Sequence, residues 1–147
     1  MEGRTKQELR ALRELTGITQ SALADILGVQ VRSVKRWEST EAPQQAPQDA
    51  WDVLDEAFEI QHRGIAVAME TVRELMESYG ETGAVVLPYW EDREEYSRYS
   101  TDSVLGVAGS WREANANIRA LATILTHEGV TVNFMSGADW AETYRNR

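Results

Sequence analysis

The sequence contains no cysteine. That excludes disulfides, thiolate zinc sites, iron–sulfur clusters and a cysteine nucleophile together. Histidine is nearly absent: His62 and His127 are the only two. His127-Glu128 lacks the second histidine of an H-E-x-x-H zinc helix, so no metal centre is expected. No apolar run approaches the ~18–20 residues that cross a bilayer. The opening MEGRTKQELR has none of the apolar core of a secretion signal. These absences predict a cytoplasmic protein with no membrane contact. There is also no Walker loop, no G-x-S-x-G and no G-x-G-x-x-G. The acidic residues Glu91, Asp92, Glu94, Glu95 and Asp102 read as a solvated stretch rather than an acid–base pair or a cation site. No enzyme activity and no cofactor are expected.

Positive charge is scarce as well. The 147 residues carry 15 basic and 24 acidic side chains, a net charge of −9 at pH 7. A sum over the chain does not decide which face meets a polyanion; a local basic surface does. Residues 1–40 carry seven basic and five acidic side chains, and residues 41–147 eight basic and nineteen acidic. Any affinity for nucleic acid must therefore lie in the first forty residues. With 42 % apolar residues the composition is globular.

The periodicities predict a mainly α protein with two short strands. Thr5 with Glu8 is a capping box for a helix from Lys6, with Leu9, Leu12 and Leu15 as its buried stripe. Thr19 caps a second helix, Gln20 to Leu27, and Gly28 suits a left-handed turn. A third helix runs from Val31 to Glu38. Ser39–Gln48 holds two of the three prolines and reads as a loop. From Gln48 to Tyr79, Trp51, Phe58, Ile65, Val72 and Tyr79 recur every seven residues, with Leu54, Gln61, Ala68 and Leu75 between them. That predicts one helix of about 50 Å, kinked at most at Gly64, and ended by Gly80 and Gly83. A strand over 84–90 follows, with Pro88 placing it at an edge. The acidic stretch after it is a loop or a short helix. Ser110 and Glu113 form a second capping box for a helix over 110–127, Gly129 stops it, and a second strand covers 130–135. Asn115 and Asn117 form no evident site, and the tail from Ser136 carries no readable signal. The expected domains are residues 1–63 and 64–147.

Function concentrates in residues 18–39, ITQSALADILGVQVRSVKRWES. A duplex reader needs a short helix that enters the major groove, braced by a second helix across it. Ala22, Leu23, Ile26, Leu27, Val34 and Trp37 are expected to form the small core between the two, with Val29 closing the turn. Gln30, Arg32, Ser33, Lys35 and Arg36 then point outward, and no acid lies between Val29 and Trp37. Arginine can bond guanine bidentately, and glutamine adenine. Gln20 opens the second helix, where the backbone N–H groups suit a phosphate.

This segment resembles the helix-turn-helix of phage Cro and repressor proteins, the XRE family. The resemblance rests on Thr19-Gln20, Leu23-Ala24, Leu27-Gly28-Val29 and Arg36-Trp37-Glu38, and spans about residues 5–58. It implies a lambda-repressor-like fold and phosphate anchoring by Gln20. It also implies base reading by Val31, Arg32 and Arg36, with Gln30 and Ser33 near the backbone, and a structural salt bridge between Arg13 and Glu38. The second half resembles YdiL-like proteins and anti-CRISPR-associated repressors. That resemblance implies a small α+β dimerisation module in which strands of two chains meet, using Val85, Leu87, Val130, Val132 and Phe134. Together these imply a homodimeric repressor on an inverted repeat of double-stranded DNA. The alternative is an antitoxin that holds a toxin through its C-terminal half and autoregulates its operon.

Overall fold

The computed structural model describes residues 3–79, 84–100 and 110–145. Gly80, Gly83, Asp102 and the side chain of Tyr79 lie outside the described residues. The chain is mainly α and divides into two units, residues 1–59 and 60–147.

In the first unit, α1 (Lys6–Thr16), α2 (Gln20–Leu27) and α3 (Val31–Glu38) precede the start of α4 (Gln48–Tyr79). Local chemistry sets each boundary. The Thr5 hydroxyl accepts from the Glu8 N–H at 3.1 Å, and the Thr19 hydroxyl from the Ala22 N–H at 3.0 Å. Gly28 ends α2 at φ 67°, which lets the Val29 N–H return to the Ala24 carbonyl at 2.9 Å. A Cβ at Gly28 would meet no atom within 4 Å, so only the backbone conformation opposes a side chain there. Gly28→Ala should therefore cost about 1–2 kcal/mol, read as a lower urea midpoint with an unchanged m-value.

Leu9, Leu23, Val34 and Leu54 are fully buried and form the centre of this unit's core, with Trp37 and Trp51 beside them. Two expected core residues lie outside it: Leu15 is 58 % exposed and Ile26 56 %. The core is filled instead by Leu9, Leu12, Leu23 and Val34 together with Trp51 and Leu54 of α4. Arg4 ties the N-terminus to α4. Its guanidinium donates to both oxygens of Asp55 (2.9 and 2.7 Å) and lies 4.0 Å over the Trp51 ring.

α4 is continuous through Gly64. Its burial follows the seven-residue period through Gln61, Ala68 and Val72 and leaves it at Leu75. In the second unit Ala68, Met69 and Val72 are buried and Met76 partly so, whereas Leu75 is 52 % exposed. A straight helix drifts about 20° per heptad, so the contact line moves off Leu75 onto Met76.

The rest of the second unit is β1 (Val85–Tyr89), α5 (Arg93–Tyr99), α6 (Trp111–His127), β2 (Val132–Ser136) and α7 (Gly137–Trp140), then a π-helical turn over Ala141–Arg145. β1 and β2 pair in parallel within the chain, from Val85 opposite Val132 to Tyr89 opposite Ser136. A parallel pair needs a crossover rather than a hairpin, and α5 and α6 stand between the two strands in sequence. The second strand starts two residues later than its pattern predicts. Gly129 takes φ 87° and the Val130 N–H returns to the Leu125 carbonyl at 2.9 Å, so Val130 belongs to the end of α6.

Asn115 has a role that its sequence spacing hides. It is buried, accepts from the Trp90 N–H and donates to the Trp90 carbonyl, both at 2.8 Å. Those bonds satisfy the backbone just past β1. The tail from Ser136 is structured too. Gly137 packs against the face of Trp90, where a Cβ would lie 2.0 Å from the ring, and the Trp140 indole donates to the Val86 carbonyl at 3.1 Å. The acidic stretch serves the same region. Asp92 caps α5, and Glu95 accepts from the N–H groups of Glu91 (3.0 Å) and Gly137 (3.1 Å).

Candidate nucleic-acid interface

α2 and α3 are joined by Gly28, Val29 and Gln30, the short turn that sets one helix across the other. α3 is sharply two-faced. Val34 and Trp37 are buried, while Val31, Arg32, Lys35 and Arg36 are exposed and Ser33 is half-buried. Gln30 stands at the N-cap without a side-chain capping bond.

The charge arrangement separates α3 from the rest of its unit. Arg4 is held by Asp55, Arg10 by Glu14 (2.8 Å) and Arg13 by Glu38. Lys6 donates to the carbonyls of Arg36 (2.9 Å) and Gln44, and so fixes the end of α3 against the loop that follows it. By contrast, among the described residues Arg32, Lys35 and Arg36 have no carboxylate partner within salt-bridge distance. The arginines outside α3 are neutralised by carboxylates and Lys6 is engaged by carbonyls, whereas the cations on the outer face of α3 have no carboxylate among the described residues. The Arg10 guanidinium, hydrogen-bonded to Glu14, holds that carboxyl below the ordinary carboxylate range.

Behind the exposed face sits a polar cluster. Arg13 bonds both carboxylate oxygens of Glu38, at 2.6 and 2.9 Å, and donates to the Ile18 carbonyl at 3.0 Å. The Gln20 side-chain amide donates to the same Glu38 at 3.2 Å. One carboxylate therefore links α1, α2 and α3. Arg13, Thr19, Gln20, Lys35 and Glu38 help line an open polar cavity of about 530 Å³ at the N-terminus of α2. The Gln20 side chain, expected to face a phosphate, is turned toward Glu38, while its backbone N–H remains at the helix N-terminus. Gln30 also has a partner, accepting from Arg32 at 2.9 Å. Neither link is readable in the sequence, nor is the role of Lys6, because each joins groups distant in sequence or set by rotamers, without a motif of their own.

The residues assigned to dimerisation divide differently. Leu87 is buried in the core of its own unit, Val85, Val130 and Val132 pack against that core, and Phe134 is 52 % exposed. Phe134 meets Tyr89 edge to face at 6.0 Å. Among the described residues no group of His, Asp and Glu side chains is disposed to hold a metal ion, and no helix is long and apolar enough to cross a membrane.

A helix pair of this geometry, with an unneutralised cationic face on the second helix, defines a helix-turn-helix. Residues 9–45 match the family model described as Helix-turn-helix. That match supports a DNA-binding transcription regulator of the XRE type. No curated protein matches the chain. The resemblance of the second half to YdiL-like and anti-CRISPR-associated proteins finds no support in these comparisons.

Proposed function

We propose that the protein is a homodimeric repressor that binds an inverted repeat and blocks a promoter by occupancy. Residues 1–63 form the DNA-binding domain, and residues 64–147 the dimerisation module, with Phe134 the most exposed of the five residues assigned to the contact. The reading is carried by one observation: in the N-terminal unit Arg4, Arg10 and Arg13 are ion-paired, whereas Arg32, Lys35 and Arg36 have no carboxylate partner among the described residues, and all three lie on the exposed face of α3. Leaving three cations of one short helix without a carboxylate prepares that face for an external polyanion.

In this reading α3 enters the major groove. Arg32 and Arg36 read base edges and Val31 packs on a thymine methyl. Lys35, Ser33 and the α2 N-terminus at Gln20 meet the phosphates. Two copies set their α3 helices about 34 Å apart, one turn of duplex.

Selection from randomised duplexes, followed by anisotropy titrations at several salt concentrations, tests this. Arg36→Ala should lose about 1–3 kcal/mol of preference for the selected site over random sequence. Lys35→Ala should weaken both about equally and lower the salt slope by about 1. Equal affinity of wild type and Arg36→Ala for the selected site would remove α3 as the reader. A selected site without two-fold symmetry would remove the dimer.

A further inference from the structure

The Gln30–Arg32 contact constrains which bases α3 can accept. Resting on the DNA-binding reading above, we infer that these two side chains act as one donor-only unit. The unit recognises a guanine beside a second acceptor-bearing base, guanine or thymine, and discriminates against adenine.

Gln30 stands just before α3, and its side-chain oxygen accepts from the Arg32 terminal nitrogen at 2.9 Å. A free glutamine amide reads adenine by accepting from the N6 amino group while donating to N7. Here a cation already holds the Gln30 oxygen. The oxygen keeps a second lone pair, but an adenine amino group taken there would bring its partly positive hydrogens beside the guanidinium charge. The adjacent positive charge polarises the amide, weakening it as an acceptor and strengthening the two N–H donors of its nitrogen. Arg32 still has its other guanidinium N–H groups, and no carboxylate among the described residues competes for them. The pair therefore shows the groove an array of donors. Guanine O6 and N7 and thymine O4 are the acceptors that match it.

The bond makes Gln30 a positioning residue as well. An exposed arginine has many rotamers, and a fixed acceptor two residues away restricts the guanidinium before DNA arrives. Removing Gln30 should therefore relax selectivity at the base read by Arg32 in addition to its own.

Selection and titration with wild type, Gln30→Ala, Arg32→Ala and the double variant test the inference, with circular dichroism confirming helix content. Wild type should select guanine next to guanine or thymine. Gln30→Ala should lower discrimination at the adjacent guanine roughly tenfold, and the double variant should lose less than the product of the single losses. Arg32→Ala frees the Gln30 oxygen and should bring adenine into the selected site. Adenine in the wild-type site, or single losses that multiply in the double variant, overturns the donor-only unit while leaving DNA binding intact. Failure of wild type to retain any duplex at low ionic strength overturns the DNA-binding reading itself, and this inference with it.

Discussion

Glu38→Ala should lower the stability of the N-terminal unit by about 3–5 kcal/mol, the cost of removing one partner from a buried ion pair. The Glu38 side chain is 5 % exposed and that of Arg13 is 11 % exposed. Without the carboxylate, the Arg13 guanidinium keeps its bond to the Ile18 carbonyl and a longer, 3.9 Å approach to the exposed Glu14, and Gln20 loses its acceptor. Against a total stability of roughly 5–15 kcal/mol, that loss is large. The pair itself need not be strongly stabilising, because bringing both charges out of water offsets much of their attraction. Two variants separate these terms. Glu38→Gln keeps one oxygen for Arg13 and should lose less than the alanine variant. Arg13→Met with Glu38→Leu removes both charges and should recover much of the deficit, leaving the Ile18 carbonyl without its donor. Urea midpoints measure all three. A Glu38→Ala midpoint within about 0.5 kcal/mol of wild type would show that water reaches the site and that the cluster is not what joins α1, α2 and α3.

The N-terminal unit was legible because its signals are local. Thr5, Thr19 and Gly28 each act within a few residues, so the observed bounds of α1, α2 and α3 coincide with those expected from caps and turns. Burial was less legible, since it depends on how much room the other helices leave. Leu15 and Ile26 fit a helical period yet stand in water, and Leu75 fits a heptad that a straight helix does not keep. The C-terminal unit was legible as an order of elements but not in its closure. Asn115 and Asn117, two apart on a helix, share no face and so suggest no site. The role of Asn115 depends instead on a backbone 25 residues away in sequence, which no periodicity reports. Gln30, Arg32, Lys35 and Arg36 are exposed as the helical period predicts and Ser33 is half-buried, but the bond from Arg32 to Gln30 depends on rotamers that residue type does not specify.

The largest effect expected in the C-terminal unit is at Asn115. Asn115→Ala strands the Trp90 N–H and carbonyl, two buried groups whose unsatisfied cost is ~1–3 kcal/mol each. Water cannot readily replace the amide, because Gly137 and Tyr96 cover Trp90 and Asn115 itself is 3 % exposed. Asn115→Asp gives a sharper result. One carboxylate oxygen can still accept from the Trp90 N–H, but the other faces the Trp90 carbonyl, where two acceptors repel. The protonated acid restores a donor at that position, so folding should raise the new carboxyl above its unfolded value of about 3.9. The folded state then binds the proton more tightly than the unfolded state. The variant's stability should be greatest below that unfolded value and fall as pH rises through the raised folded one. Urea unfolding of wild type and Asn115→Asp between pH 4 and pH 7 measures the difference directly. The gap between the two proteins should widen toward neutrality. A gap that stays constant with pH would mean that the second oxygen turns to solvent and that the Trp90 carbonyl never depended on Asn115.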